Sequence, residues 1–205
     1  KPLIVDGQAG QVITHPNEDQ IRFYQNLIKE EEALIEGLEE LKTLPCKTTD
    51  GHRVRLWVNT GLMSDAAKSL DRGAEGVGLY RTEVHFMTKD RFPTEEEQKT
   101  IYREHLQAFS PRNVTMRTLD IGGDKALSYF PIEEANPFLG WRGIRVTLDH
   151  PEIFLAQVRA MIRANEGVGA FLRIMLPMVS SVSEVDEAKK LISKCYRELL
   201  EEGRK

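Results

Sequence analysis

The sequence has few cysteines, no long apolar run and no excess of positive charge. Cys46 and Cys195 are its two cysteines among 205 residues, so neither a disulfide framework nor a cysteine metal site is expected. Neither a membrane span of roughly 18 apolar residues nor an apolar signal core at the N-terminus is recognisable. The net charge of −4 argues against a nucleic-acid partner, which requires a basic face. These absences favour a cytoplasmic protein.

The first part of the chain carries two patterns that differ from the remainder. Short apolar runs at 3–5 and 11–13, separated by glycines, predict a β-hairpin. Residues 17–44 predict one long amphipathic helix, in which Asn17 is the cap and Gln20 completes a capping box. Because the chain lacks an initiating Met, we expect it to be a piece of a longer protein.

The remaining residues alternate between strand and helix patterns. The predicted strands are 54–59, 76–80, 114–118 and 172–177. Thr94, with Glu97 three residues later, is predicted to form a capping box at the start of the helix before the third strand. Asp149, with Glu152 three residues later, is predicted to cap the helix before the last of these strands. This alternation predicts an α/β fold with a parallel sheet. We interpret it as the first four βα units of a TIM (β/α)8 barrel, and a small doubly wound sheet is the alternative.

Two of the predicted strands end in arginine. Arg81 follows the second strand, and Arg117 lies in the third. The carboxyl ends of neighbouring parallel strands meet at one edge of the sheet, where barrel active sites lie. Guanidinium groups pair with phosphate or carboxylate oxygens, so two of them at this edge favour a small, multiply charged anionic substrate. The alternative is that each arginine pairs with a nearby acid, Glu83 or Asp120.

Two further cationic side chains lie in the segment after the third strand. Lys125 ends the run DIGGDK at 120–125, whose paired glycines would let backbone amides form an anion nest. Arg142 lies in the run NPFLGWRGIR at 136–145 and is either a third anion contact or a salt-bridge partner. The five histidines are scattered, without the spacing of a metal site or of a Ser-His-Asp system. The sequence therefore predicts substrate-binding residues, but neither a catalytic residue nor a metal ligand.

Three motifs together resemble one family. They are GLYRTE at 78–83, RTLDIGGDK at 117–125 and NPFLGWR at 136–142. The chain is similar, over essentially its whole length, to enzyme I of the bacterial phosphoenolpyruvate:sugar phosphotransferase system. Residues 117–127 and 143–151 are more similar to the nitrogen-type paralogue, which favours nitrogen regulation over sugar transport.

The resemblance implies a mechanism. Enzyme I binds phosphoenolpyruvate with Mg²⁺ in a C-terminal TIM barrel, and a histidine on a swivelling domain takes the phosphoryl group and passes it to a small HPr-like phosphocarrier protein. By motif, Arg81 and Arg117 match the family's phosphoenolpyruvate-binding arginines, and Arg142 and Lys125 lie in matching motifs nearby. The full-length protein is expected to form a homodimer.

The departures from the family pattern are as informative as the matches. The family's nucleophilic histidine lies in a Gly-Gly-x-Thr-Ser-His segment, which this sequence lacks. The family's magnesium ligands and proton-donating cysteine lie further downstream, so Cys195 does not match that cysteine. We expect 1–16 to be the tail of the swivelling domain, 17–45 the linker helix and 46–205 the N-terminal half of the barrel. Such a fragment would be inactive alone.

Two other functions stay open on the sequence. A relative of pyruvate phosphate dikinase would share the swivel-and-barrel plan, although the loop at 121–125 argues against it. An interaction module is the other alternative, in which the long helix docks or dimerises through its apolar stripe at Ile21, Tyr24 and Ile28.

Overall fold

The chain divides into two units, Lys1–Arg53 and Val54–Lys205. The computed structural model describes residues 2–62, 64–123, 125–133, 135–136 and 138–203. Two residues of the predicted motifs, Asp124 and Pro137, lie outside the described residues, as do the side chains of residues 64 and 65.

The first unit contains the predicted hairpin and the predicted long helix. Strands β1 (Leu3–Asp6) and β2 (Gln11–Thr14) pair antiparallel, and helix α1 spans Glu18–Leu41. Asn17 caps α1, because its side chain accepts a hydrogen bond from the Gln20 amide while the Gln20 side chain accepts one from the Asn17 amide. The Tyr24 hydroxyl donates to Asp6 at 2.9 Å and joins the helix to the hairpin.

A parallel sheet of four strands lies at the centre of the second unit. Its strands are β3 (Val58–Thr60), β4 (Gly76–Arg81), β5 (Asn113–Arg117) and β6 (Phe171–Met175). They lie side by side in chain order, and each pairs in parallel with the next. The predicted α/β class is therefore confirmed, and the arrangement is consistent with a partial α/β barrel. Strand β3 begins at Val58 rather than at residue 54.

Helices connect the strands, and a final helix comes after the last strand in the sequence. They are α2 (Ser64–Asp71), α3 (Glu83–Met87), α4 (Glu95–Phe109), α5 (Ile144–Asp149), α6 (Pro151–Asn165) and α7 (Val182–Glu201). The predicted capping box at Thr94 is present at the start of α4. The predicted cap at Asp149 is wrong, because His150 occupies the cap position of α6 and Asp149 instead accepts a hydrogen bond from Trp141 Nε1 at 2.6 Å. Within the described ranges, no helix is long and apolar enough to cross a membrane.

Two apolar clusters hold the carboxyl edge of the sheet in place. One packs the helix-facing residues of β4 and β5 against α4 and α6, and includes Val77, Met116 and Leu106. The other lies under the segment that follows β5, where Leu119 and Ile121 pack with Phe86, Leu127 and Val146. Because these apolar side chains are fully or almost fully buried, the polar residues between them are held in fixed positions.

Candidate functional site

The two strand-end arginines are neighbours in the sheet. Arg81 in β4 and Arg117 in β5 are partners in the parallel register, so their side chains leave the same face of the sheet. The Thr82 hydroxyl donates to the Arg117 carbonyl oxygen at 2.7 Å and ties the two strand ends together. This is the placement that binding of one anion by both arginines requires.

Arg117 also forms the ion pairs that the alternative interpretation expected. Its Nη2 lies 2.5 Å from Glu83 Oε1, and its Nη1 lies 3.1 Å from Asp120 Oδ2. Both carboxylates are almost completely buried, with Glu83 2% exposed and Asp120 4% exposed. The orientation of Arg117 is therefore fixed by two acids from different segments of the chain.

The same two carboxylates hold the other predicted cations. Lys125 Nζ lies 2.7 Å from Glu83 Oε1 and 3.4 Å from Asp120 Oδ2. Arg142 Nη2 lies 3.2 Å and 3.3 Å from the two Asp120 oxygens. The structure thus brings Lys125 and Arg142 to Arg117, and Arg142 is the salt-bridge partner that the sequence left as one of two alternatives.

Among the described side chains of this cluster, positive charge exceeds negative charge. Arg117, Lys125 and Arg142 share Glu83 and Asp120, and the neighbouring Arg81 is exposed and forms no ion pair with any described side chain. Four cations beside two carboxylates attract an anion that carries more than one charge.

Several polar atoms of the cluster are buried without a hydrogen-bond partner among the residues that the structure describes. They are Glu83 Oε2, Arg117 Nε and Arg142 Nε. Buried polar atoms in folded proteins are almost always hydrogen-bonded to protein or water, so each unsatisfied atom calls for an explanation, of which a functional role is one. The two guanidinium Nε groups are donors of this kind beside the exposed Arg81.

The sequence suggested that backbone amides of the glycine-rich turn before Lys125 bind an anion, but not all of these amides are available. The Gly122 amide donates to the Lys125 carbonyl at 3.1 Å, and the Lys125 amide donates back to Gly122 at 3.2 Å. The Gly122 amide is therefore occupied within the turn and is not open to an anion. Gly122 serves close packing instead, since a Cβ atom there would lie 2.5 Å from Arg142 Cβ.

The described residues do not form a magnesium site. They contain no group of three or more His, Cys, Asp or Glu side chains that could hold a metal ion. Mg²⁺ prefers carboxylate oxygens and water, but the Glu83 and Asp120 carboxylates already accept from arginine and lysine. The donor set present here therefore does not fit the ion.

The histidine nearest in sequence to Arg81 lies on the other side of β4. Tyr80 is buried among the helices, and its hydroxyl lies 2.5 Å from His85 Nε2. Burial raises the pKa of Tyr80 and lowers the pKa of His85, which favours the neutral form of both groups. The ring of His105 stacks on Tyr80 at 4.1 Å between centroids. These groups support the strand from the face opposite to the arginines.

Sequence reasoning missed one polar residue that contacts both strand ends. Gln157 lies on the buried face of α6 and is fully buried. A signal was available, because this glutamine interrupts an apolar helix face in the run FLAQVRAM. Glu83 was considered only as a partner of arginine, whereas the structure shows that it also binds Lys125.

A match to a family model shows to which family the chain belongs. The model described as "PEP-utilising enzyme, PEP-binding domain" matches residues 35–205. The chain belongs to this family. PEP-utilising enzymes act on phosphoenolpyruvate, and the matched range contains all four predicted substrate-binding residues.

Curated relatives of this family member are phosphotransferases by name. The chain is 50% identical over 201 residues to "Phosphoenolpyruvate-dependent phosphotransferase system" of Salmonella typhimurium and 49% identical over 201 residues to the protein of that name from Escherichia coli. It is 44% identical over 206 residues to "Phosphoenolpyruvate-protein phosphotransferase" of Staphylococcus carnosus. Each match covers 98% of this chain, but 27%, 27% and 35% of the respective relatives. The resemblance to enzyme I is confirmed, and the nitrogen-type assignment stays a prediction.

Proposed function

We propose that this chain is the phosphoenolpyruvate-binding part of a longer phosphoenolpyruvate-protein phosphotransferase. The observation that carries the proposal is the pair of register-matched arginines, Arg81 and Arg117, beside a cluster with more positive than negative charge. Phosphoenolpyruvate carries a phosphate and a carboxylate on three carbons, and this pair of anionic groups suits two neighbouring guanidinium groups.

The proposal extends to the architecture. Four parallel strands in chain order support an interpretation as the first four βα units of a TIM (β/α)8 barrel. In this interpretation 1–16 is the tail of a swivelling domain, 17–45 is a linker helix and 46–205 is the N-terminal half of the barrel. This chain spans about a third or less of the length of its relatives, and proteins of that length can contain the remaining parts.

The residues of this chain bind and orient the substrate in the proposed mechanism. Arg81 and Arg117 neutralise the oxygens of the phosphoryl group and the carboxylate, while Glu83 and Asp120 keep Arg117 in position. Phosphoryl transfer depends mainly on such positioning and charge neutralisation. The P–O bond to the enol oxygen breaks as the phosphoryl group passes to a histidine outside this chain, and pyruvate leaves as its enolate. The phosphohistidine then passes the phosphoryl group to a small HPr-like phosphocarrier protein.

Other parts of the proposal concern groups that this chain does not supply. Mg²⁺ is proposed to be held by ligands outside this chain, because the described donor set does not fit it, and no step above depends on the ion. A cytoplasmic location and a homodimer of the longer protein complete the proposal.

Substitution of Arg117 tests the proposed binding role. In the longer protein, we expect Arg117→Ala to lower kcat/KM for phosphoenolpyruvate by about 100-fold or more, the scale for losing one donor to a developing charge. Arg112→Ala is the matched control, because Arg112 is exposed and precedes the opposite end of the same strand. Near wild-type turnover of the Arg117 variant would refute the role. The assay omits nucleotide, so a nucleotide requirement would instead favour the dikinase-like alternative.

Helix α1 supports a second candidate, an interaction module. None of its residues is buried, and it exposes a row of large apolar side chains. They include Phe23, Ile28, Leu34, Ile35 and Leu38. If α1 associates, we expect light scattering to give a multiple of the monomer mass for the whole chain and the monomer mass for residues 46–205. A monomer mass in both samples would remove this candidate.

A further inference from the structure

A buried glutamine on α6 contacts both of the strand ends that carry the arginines. Gln157 is 0% exposed, and its neighbours Phe154, Val158 and Met161 on the same helix are apolar and equally buried. Burial of an amide costs free energy unless its polar atoms are hydrogen-bonded. The partners of this amide therefore indicate what its position requires.

All of the hydrogen-bonding positions of the Gln157 amide that face the protein are used. Its Oε1 accepts from the Leu119 amide at 2.7 Å, and its Nε2 donates to Thr82 Oγ1 at 3.1 Å and to the Tyr102 hydroxyl at 3.0 Å. Because a backbone amide can only donate, the Leu119 contact fixes which end of the side-chain amide is the oxygen. The Thr82 hydroxyl in turn donates to the Arg117 carbonyl.

These partners lie directly beside the predicted substrate-binding residues. Thr82 follows Arg81 at the end of β4, and Leu119 lies two residues after Arg117 at the end of β5. The bonds therefore join the two strand ends to each other through a third segment of the chain. We name Gln157, Thr82 and Leu119 the strand-end link.

The link is anchored on a second helix. The Tyr102 hydroxyl accepts from Gln157 and donates to Gln98 Oε1 at 3.0 Å. Gln98 Nε2 donates to the Pro93 carbonyl at 2.9 Å, just before the start of α4. Each donor in this series has a definite acceptor, so the separation between the strand ends is set by connected hydrogen bonds as well as by the sheet.

We propose that Gln157 is a positioning residue for phosphoenolpyruvate binding. Through the strand-end link it holds the ends of β4 and β5 so that the guanidinium groups of Arg81 and Arg117 reach the same anion. Gln157 itself does not touch the substrate. The inference rests on the proposed function, because it takes the two arginines as ligands of one molecule.

The test compares a variant of the link with a variant of the adjacent core. Gln157→Leu in the longer protein keeps a side chain of similar size and removes all three hydrogen bonds. We expect its KM for phosphoenolpyruvate to rise at least about tenfold, because small displacements of positioning groups carry large kinetic costs. We expect kcat to change less, since the arginines contact the anionic groups both before and during transfer.

Met161→Ala is the matched control. Met161 lies one turn after Gln157 on α6, is equally buried, and belongs to the apolar cluster. We expect this variant to lower the thermal unfolding midpoint at least as much as Gln157→Leu while its KM stays within twofold of wild type. A KM within twofold for Gln157→Leu would overturn the inference, as would equal KM increases in both variants.

A second variant decides the matter if Gln157→Leu does not fold. Thr82→Val keeps the shape of the side chain and removes the hydroxyl between Gln157 and the Arg117 carbonyl. We expect the same direction of change in KM, and an unchanged KM would overturn the inference. Failure of the proposed function can be distinguished from failure of this inference, because the wild-type protein would then show no phosphoryl transfer from phosphoenolpyruvate.

Discussion

Glu83 and Asp120 orient the cations of the site without neutralising all of them. Each carboxylate accepts from more than one cationic side chain, and both are almost completely buried. A buried charge is tolerated only where several partners compensate for its lost hydration. Arg117 and Arg142 are consequently held in one orientation before any ligand arrives, and this reduces the reorganisation that binding requires.

Neutralisation of Glu83 is predicted to destabilise the fold. Glu83→Gln keeps the size of the side chain and removes the charge opposite Arg117 and Lys125. We expect the free energy of unfolding to fall by about 3 kcal/mol, the scale for removing one partner of a buried ion pair. Calorimetry measures the change, and Glu133→Gln, at an exposed position, is the control. Equal unfolding midpoints for the two variants would contradict the structural role of Glu83.

The two arginines and the acids beside them could be predicted from sequence, whereas the contact of Lys125 with Glu83 could not. Arg81 and Arg117 each lie at the end of a recognisable strand, so their placement follows from the parallel sheet alone. The contact of Lys125 with Glu83 depends on how the segment after β5 folds back over the apolar cluster. Such a contact has no local signature, because the two residues belong to different segments of the chain.

Elements that depend on local contacts were predicted more accurately than those that depend on packing. The capping boxes at Asn17 and Thr94 involve residues three apart and are present as expected. The predicted cap at Asp149 is wrong because its carboxylate accepts a hydrogen bond from Trp141, a residue of the preceding loop. Strand β3 starts late because its first paired residue, Val58, lies opposite Val77 near the beginning of β4.

Substitution of Gly122 in the glycine-rich turn after β5 is predicted to destabilise the fold. Gly122 has φ +119°, and a Cβ atom there would lie 2.5 Å from Arg142 Cβ. Gly122→Ala must therefore move the turn or Arg142, and we expect a loss of about 2 kcal/mol in unfolding free energy. It should also weaken phosphoenolpyruvate binding by the longer protein several-fold, which calorimetric titration measures.

Gly37→Ala is the control for this substitution. Gly37 lies inside α1, and an added Cβ atom there meets nothing within 4 Å. Alanine is favoured over glycine within a helix by about 1 kcal/mol, so this variant should be as stable as wild type or more stable. If Gly122→Ala behaved in the same way, the close approach of Gly122 to Arg142 would not constrain the turn.

Within the second unit, which forms most of the molecule, the histidines and the arginine cluster occupy different places. His85 and His105 contact Tyr80 on the helix-facing side of β4. His150 packs against the rings of Phe130 and Trp141. The cationic side chains of the second unit are therefore separate from its histidines, which are engaged in packing and hydrogen bonds.

This separation predicts that the chain alone is not phosphorylated by phosphoenolpyruvate. We expect that incubation with radiolabelled phosphoenolpyruvate and Mg²⁺ leaves the isolated chain without stoichiometric label, because the packed and hydrogen-bonded imidazoles of the second unit cannot approach the bound phosphoryl group in line. The longer protein is the positive control and should acquire acid-labile label on a histidine. Stoichiometric phosphohistidine in the isolated chain would mean that His85, His105, His150 or a histidine of the first unit reaches the arginines. In that case the nucleophile would belong to this chain, and the proposed division between a substrate-binding part and a separate phosphohistidine part would have to be abandoned.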